Sequence, residues 1–75
     1  MQSEFAEGRL KLSCVDHIGT LLIDNPRRKN AVDAAMWRAI PEAIGWLAGE
    51  AGARVIVLSG AGGQDFSAGA DISEF

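Results

Sequence analysis

The chain has 75 residues, a hydrophobic share of 48%, a charged share of 23%, a formal net charge of -3, one cysteine (Cys14) and one histidine (His17). These figures exclude intrinsic disorder over most of the length, a disulfide closed within the chain, a set of zinc-ligand pairs, and any general attraction for nucleic acid or anionic lipid. What remains is at most one small domain with a core that rarely supplies more than ~3–5 kcal/mol, so further stability is expected from a partner surface or from chain beyond Phe75.

The first residues, MQSEFAEGRLK, lack an apolar core and carry Glu4 and Glu7 early, unlike a secretory signal or an arginine-rich transit peptide. The longest uncharged stretch, residues 55–64, has ten residues, whereas a membrane-spanning helix needs ~20. No membrane segment is expected, and a reducing cytoplasm is the simplest compartment.

Across residues 9–15, Leu10, Leu12 and Cys14 alternate with Lys11 and Ser13, the period of a half-buried strand. Asp16, His17, Ile18 and Gly19 interrupt it, and Gly19 is expected to take the positive φ of a tight reversal. The β-branched and apolar run Thr20-Leu21-Leu22-Ile23 then completes an antiparallel hairpin. Asn25-Pro26 ends the second strand, because proline removes a ladder donor and restricts the residue before it.

A loop through Asn30 precedes an amphipathic helix in which Val32, Met36, Ile40, Ala43, Ile44 and Leu47 recur at helical spacing, with Asp33 as N-cap. Met36, Ile40, Ile44 and Leu47 are expected in the core. Trp37 and Trp46 fall off that stripe, and one or both are expected to pack against another subunit or further chain. Pro41 should either kink the helix or begin a second segment, and a bend is expected there; Gly49 and Gly52 place the stop near residues 48–50. The continuous run Arg54-Val55-Ile56-Val57-Leu58 suits a parallel strand covered on both faces, joined to residues 20–23 by a βαβ crossover. The rest, from Ser59 to Phe75, reads as a glycine-rich loop with a short helix starting at Asp71.

Several familiar motifs fail in this loop. Gly60 and Gly62 suit a dinucleotide turn, but Asp65 occupies the third glycine position, and no lysine after Lys29 completes a phosphate loop. The pentad Asp65-Phe66-Ser67-Ala68-Gly69 lacks the first glycine of a nucleophile elbow. Ser67 is therefore read as a loop-structuring hydroxyl, and His17 as a solvated turn histidine.

One combination holds. Asn25-Pro26, Lys29-Asn30-Ala31-Val32, a helix with Met36, Arg54-Val55-Ile56-Val57-Leu58-Ser59-Gly60, and Phe66-Ser67-Ala68-Gly69-Ala70-Asp71-Ile72 occur in that order. From Leu10 onward the chain resembles the N-terminal part of the crotonase (enoyl-CoA hydratase/isomerase) superfamily. The resemblance implies an α/β fold, the opening of a crotonase-like spiral of ββα units: antiparallel hairpin, helix, parallel strand and glycine-rich loop. All of residues 1–75 would then form one partial domain. Pro41 departs from the uninterrupted helix of that family.

The same resemblance implies that the N–H of Ala70 is one of two oxyanion-hole donors, and that Ala68, Gly69, Asp71 and Ile72 line the acyl-CoA site. The chemistry suits such a loop. A thioester enolate carries negative charge on its oxygen, preorganised N–H donors stabilise it, and small side chains leave the main chain approachable. Similar enzymes place basic residues near the coenzyme A phosphates, so Arg28 and Lys29 are candidates for that contact, with solvated loop charges as the alternative. Ala31 is a candidate pocket wall. No permanently bound cofactor is implied; coenzyme A arrives as part of the substrate.

In hydratases of the superfamily two glutamates activate water and protonate the α-carbon, and the second oxyanion donor is a glycine. These lie beyond the segment that this sequence resembles, and Glu42, Glu50 and Glu74 match none of them. The chain alone is expected to be inactive and to be a piece of a longer enzyme, whose relatives assemble as trimers or paired trimers. The leading parent reaction is addition of water to a 2-enoyl-CoA. The alternatives are isomerisation, decarboxylation, dehalogenation or thioester hydrolysis, or a non-catalytic module that binds coenzyme A or docks onto a relative.

Overall fold

A computed structural model describes residues 1–62. Four strands form one mixed sheet in the order β1-β2-β3-β4, with one long helix on one face. The strands are β1 (Gln2–Phe5), β2 (Leu10–Val15), β3 (Ile18–Ile23) and β4 (Val55–Gly60), and α1 is Ala34–Ala48. β1, β2 and β3 are antiparallel in turn, and β4 lies parallel to β3. This is the hairpin, helix and parallel strand expected of the opening of a crotonase-like domain.

β1 is an addition to that expectation. Phe5 packs against the core while Gln2 and Glu4 stay exposed. One apolar residue among polar ones gives a weak strand signal, and the reversal into β2 uses positive φ at Ala6, Glu7 and Gly8.

The hairpin turn differs from the sequence reading. Gly19 is not at the reversal; Asp16 (φ 52°) and His17 (φ 64°) take it. Positive φ at both central residues makes a two-residue connection whose twist matches the flanking strands, and Asp tolerates that conformation through its short polar side chain. The second strand therefore starts at Ile18, two residues earlier than residues 20–23 suggested. Gly19 serves packing instead. It is buried in β3 beneath the C-terminal end of α1, where an added Cβ would lie 3.1 Å from Leu47 Cδ2 and 3.0 Å from Ala53 Cβ.

α1 begins as expected. The Asp33 carboxylate accepts from Met36 N–H at 2.8 Å, satisfying one of the first-turn donors that have no intrahelical partner. Arg9 Nε stands 2.8 Å from the other oxygen of Asp33. Its N–H is not aimed along that line and has no hydrogen-bond acceptor among the described residues, so the contact is an ion pair only.

No second segment begins at Pro41, and the helix continues to Ala48. Pro41 removes the N–H that would bond the Trp37 carbonyl, but both residues lie on the exposed side, where water can reach that carbonyl.

The core lies between α1 and one face of the sheet. Leu10, Leu12, Cys14, Leu21 and Ile23 from the strands meet Val32, Met36, Ala43 and Leu47, and Trp46 packs at its margin. Of the expected helix core, Met36 and Leu47 are fully buried and Ile40 partly so. Ile44 is 41% exposed, because Ala43 rather than Ile44 points at the sheet. β4 is not covered on both faces among the described residues: Val55, Val57 and Leu58 are about half exposed. Among the described residues it is an edge strand, with Val55 and Val57 on the face opposite α1. No described helix is long and apolar enough to cross a membrane.

Candidate functional site

Parallel pairing decides which loops meet. β3 and β4 run in the same direction, with Ile23 opposite Gly60, so the segment after β3 and the segment after β4 leave from the same end of the sheet. Ligands of open parallel sheets are taken up at the carboxyl ends of the strands. Here that end carries the basic cluster Arg27, Arg28 and Lys29 on one strand exit and the start of the glycine-rich segment on the other.

The first of these loops is built by two asparagines. Pro26 opens a 3-10 turn over Pro26–Arg28, with its ring preset for a first helical position. Lys29 (φ 51°) and Asn30 (φ 60°) then turn left-handed, a conformation costing roughly 1–3 kcal/mol for a residue with a Cβ unless its surroundings enforce it. They are enforced here. Asn30 N–H donates to the Asn25 carbonyl at 2.8 Å, and Ala31 N–H to that of Arg28 at 2.9 Å. In return Asn25 N–H donates to Asn30 Oδ1 at 2.9 Å, and Asn25 Nδ2 to the Ala31 carbonyl at 2.9 Å.

This closure leaves the side chains of Arg27, Arg28 and Lys29 exposed on a fixed backbone, while Asn30 and Ala31 are buried. Ala31 is only 7% exposed and both its backbone polar groups are bonded within the loop, so any pocket wall it offers is its methyl group.

The second loop is tied to the first. Ala61 N–H donates to the Ile23 carbonyl at 2.7 Å, and Asn30 Nδ2 donates to the Ala61 carbonyl at 3.1 Å. The Asn30 amide is 1% exposed, and its oxygen meets an N–H while its nitrogen meets a carbonyl, which fixes its orientation. Both asparagines stand in the motifs that carry the resemblance, but the sequence alone marks neither as a site residue. The available signal was Asn itself, which tolerates left-handed backbone and bonds its own loop.

Ala68, Gly69, Ala70, Asp71 and Ile72 lie outside the described residues, as do Ser67 and the helix expected at Asp71. His17 is exposed at the opposite end of β3, its Nδ1 3.1 Å from the Gly52 carbonyl. Six residues of strand put it roughly 17–20 Å from the Lys29 loop, too far to act as a base there. Cys14 is buried, with its Sγ 3.5 Å from the Ala51 carbonyl. A shallow depression on the uncovered sheet face, lined by Gln2, Glu4, Lys11, Ser13, Thr20 and Leu22 among others, holds none of the expected site residues.

A family model described as enoyl-CoA hydratase/isomerase matches residues 18–75. No curated protein matches. Among solved structures, enoyl-CoA hydratase EchA1 from Mycobacterium marinum is 39% identical with a TM-score of 0.78, covering 89% of this chain and 26% of its own. An enoyl-CoA hydratase from Mycobacterium tuberculosis H37Rv gives the same figures: 39% identity, TM-score 0.78, and 89% and 26% coverage. Enoyl-CoA hydratase subunit I from Geobacillus kaustophilus HTA426 is 33% identical with a TM-score of 0.80, covering 96% of this chain and 27% of its own. The chain thus spans about a quarter of the length of each of these structures.

Proposed function

The chain belongs to the enoyl-CoA hydratase/isomerase family, and on that premise we propose that it forms the part of an acyl-CoA enzyme that holds the coenzyme A phosphates and supplies one oxyanion donor. The observation that carries this reading is the pairing of the two strand exits. Asn30 links the backbone that displays Arg28 and Lys29 to Ala61, where the glycine-rich segment begins.

In this reading Arg28 and Lys29 bind phosphate as exposed charges, Ala31 forms part of the pocket wall, and Ala68, Gly69, Asp71 and Ile72 surround the thioester. The Ala70 N–H would donate to the thioester oxygen as it gains charge, a contribution of roughly 2.7–4 kcal/mol at comparable sites. The parent reaction we favour is addition of water to a 2-enoyl-CoA. It needs two carboxylates outside the residues assigned here, one to activate water and one to protonate the α-carbon. Isomerisation, decarboxylation or thioester hydrolysis would use the same donor with different partners.

Calorimetric titration of the chain with acetyl-CoA tests the binding half. The expected result is a saturable heat that weakens with added salt and in the Arg28→Glu, Lys29→Glu double variant, since exposed charge pairs are screened. Absence of heat at millimolar acetyl-CoA would remove the proposal.

A further inference from the structure

Asn30 does more than close its own loop. Its Oδ1 accepts from Asn25 N–H within that loop, while its Nδ2 reaches 31 residues along the chain to the Ala61 carbonyl. The Ala61 N–H is itself bonded to Ile23, so both polar groups of Ala61 are fixed, one by the end of β3 and one by the Asn30 side chain. A buried amide that spans two loops costs desolvation unless its bonds are made, and discrete partners on both its oxygen and its nitrogen favour a single geometry.

We propose that Asn30 is a positioning residue that sets the start of the glycine-rich segment against the Arg28–Lys29 loop, and so fixes the distance between phosphate binding and the acyl group. This rests on the acyl-CoA reading above for its ligand, but not for its structural half. The division of labour within one side chain makes it separable. Asn30→Asp keeps an acceptor for Asn25 N–H and replaces the donor to Ala61 by a second acceptor. Asn30→Gly removes both arms, adds no charge and suits φ 60°.

Amide hydrogen exchange of the unliganded chain reads the structural half. In either variant Ala61 should lose about tenfold or more in protection beyond any loss at Leu12 and Leu21, because losing the bond to its carbonyl lets its N–H leave the Ile23 carbonyl more readily. A uniform fall at all three would mean ordinary destabilisation and would overturn the proposal. Calorimetry reads the functional half by comparing acetyl-CoA with coenzyme A. Asn30→Asp should retain binding of coenzyme A while losing any added affinity for the thioester; equal loss for both ligands, or loss for neither, contradicts the positioning role. If the unaltered chain binds neither ligand, the acyl-CoA reading fails, and exchange at Ala61 still decides whether Asn30 governs the second loop.

Discussion

Gly19 and Leu47 occupy one packing site: an added Cβ on Gly19 would stand 3.1 Å from Leu47 Cδ2, with Ala53 Cβ at 3.0 Å. Leu47 can turn its methyl aside, whereas Ala53 is held by the bond from its N–H to the Leu47 carbonyl, at 2.8 Å. Overpacking therefore outweighs the entropy gained by replacing glycine. Gly19→Ala is expected to cost about 1 kcal/mol, and Gly19→Val about 2–3 kcal/mol. Urea unfolding measures both, and a stabilised Gly19→Ala would show that the site is looser than described.

Neighbouring helix positions should respond very differently to truncation. Leu47 is fully buried and Ile44 is 41% exposed, so Leu47→Ala should cost about 2–5 kcal/mol. Ile44→Ala should cost less than about 1 kcal/mol, its half-exposed methyl groups contributing little. The first value is close to the whole stability of so small a core, and the Leu47→Ala chain should be largely unfolded by circular dichroism.

Asp33 has two separable roles, one oxygen capping α1 and the other facing Arg9. Asp33→Ala should lose about 1–2 kcal/mol of stability, the upper range of a cap residue, because the part-buried Arg9 is left without its counter-charge. Asp33→Asn keeps a capping oxygen and should lose less than half of that. Equal losses on denaturation would show that the ion pair, not the cap, carries the effect.

Lys11 has its pKa raised above the ordinary 10.5, first by the hydrogen bond to Asp24 and then by the charge of that carboxylate. A lysine with a raised folded-state value stabilises fully below its unfolded value and loses that contribution as pH climbs through the folded one. The contribution of Lys11 should therefore be fully present below about pH 10 and be lost above it. Lys11→Met should flatten that alkaline limb in a series of unfolding curves; an unchanged slope would place the titration elsewhere.

Val15, Ile18 and Val55 are exposed and lie side by side across β2, β3 and β4, next to an edge of β4 that no described strand pairs. Such an edge is a template for pairing with another chain. The chain should self-associate as its concentration rises, and Val57→Lys on the same face should hold it monomeric with its circular dichroism unchanged. Sedimentation velocity distinguishes this from association that ignores the substitution.

The sequence made the core elements legible where one physical signal acted alone. Alternation marked β2, helical spacing and Asp33 marked α1, and a β-branched run marked β4. Tertiary context hid the rest. Gly19 looked like a turn residue because its true constraint, the approach of Leu47 and Ala53, comes from residues far along the chain. Ile44 looked like core because spacing alone does not choose between it and Ala43. Pro41 left a second helical segment open, and α1 instead runs through it to Ala48, with Pro41 and Trp37 both exposed. The loop motif that carries the family resemblance revealed its basic residues but not the Asn25 and Asn30 bonds that shape it, since these pair backbone groups that only the folded chain brings together.

The most direct measurement is a site-resolved one: amide nitrogen and proton shifts of the labelled chain, followed during parallel titrations with acetyl-CoA and with coenzyme A. Arg28 and Lys29 should move with both ligands, and the Ala70 amide should move with the thioester alone. An Ala70 signal unmoved at millimolar acetyl-CoA, in a chain whose β4 amides remain protected, would contradict the account.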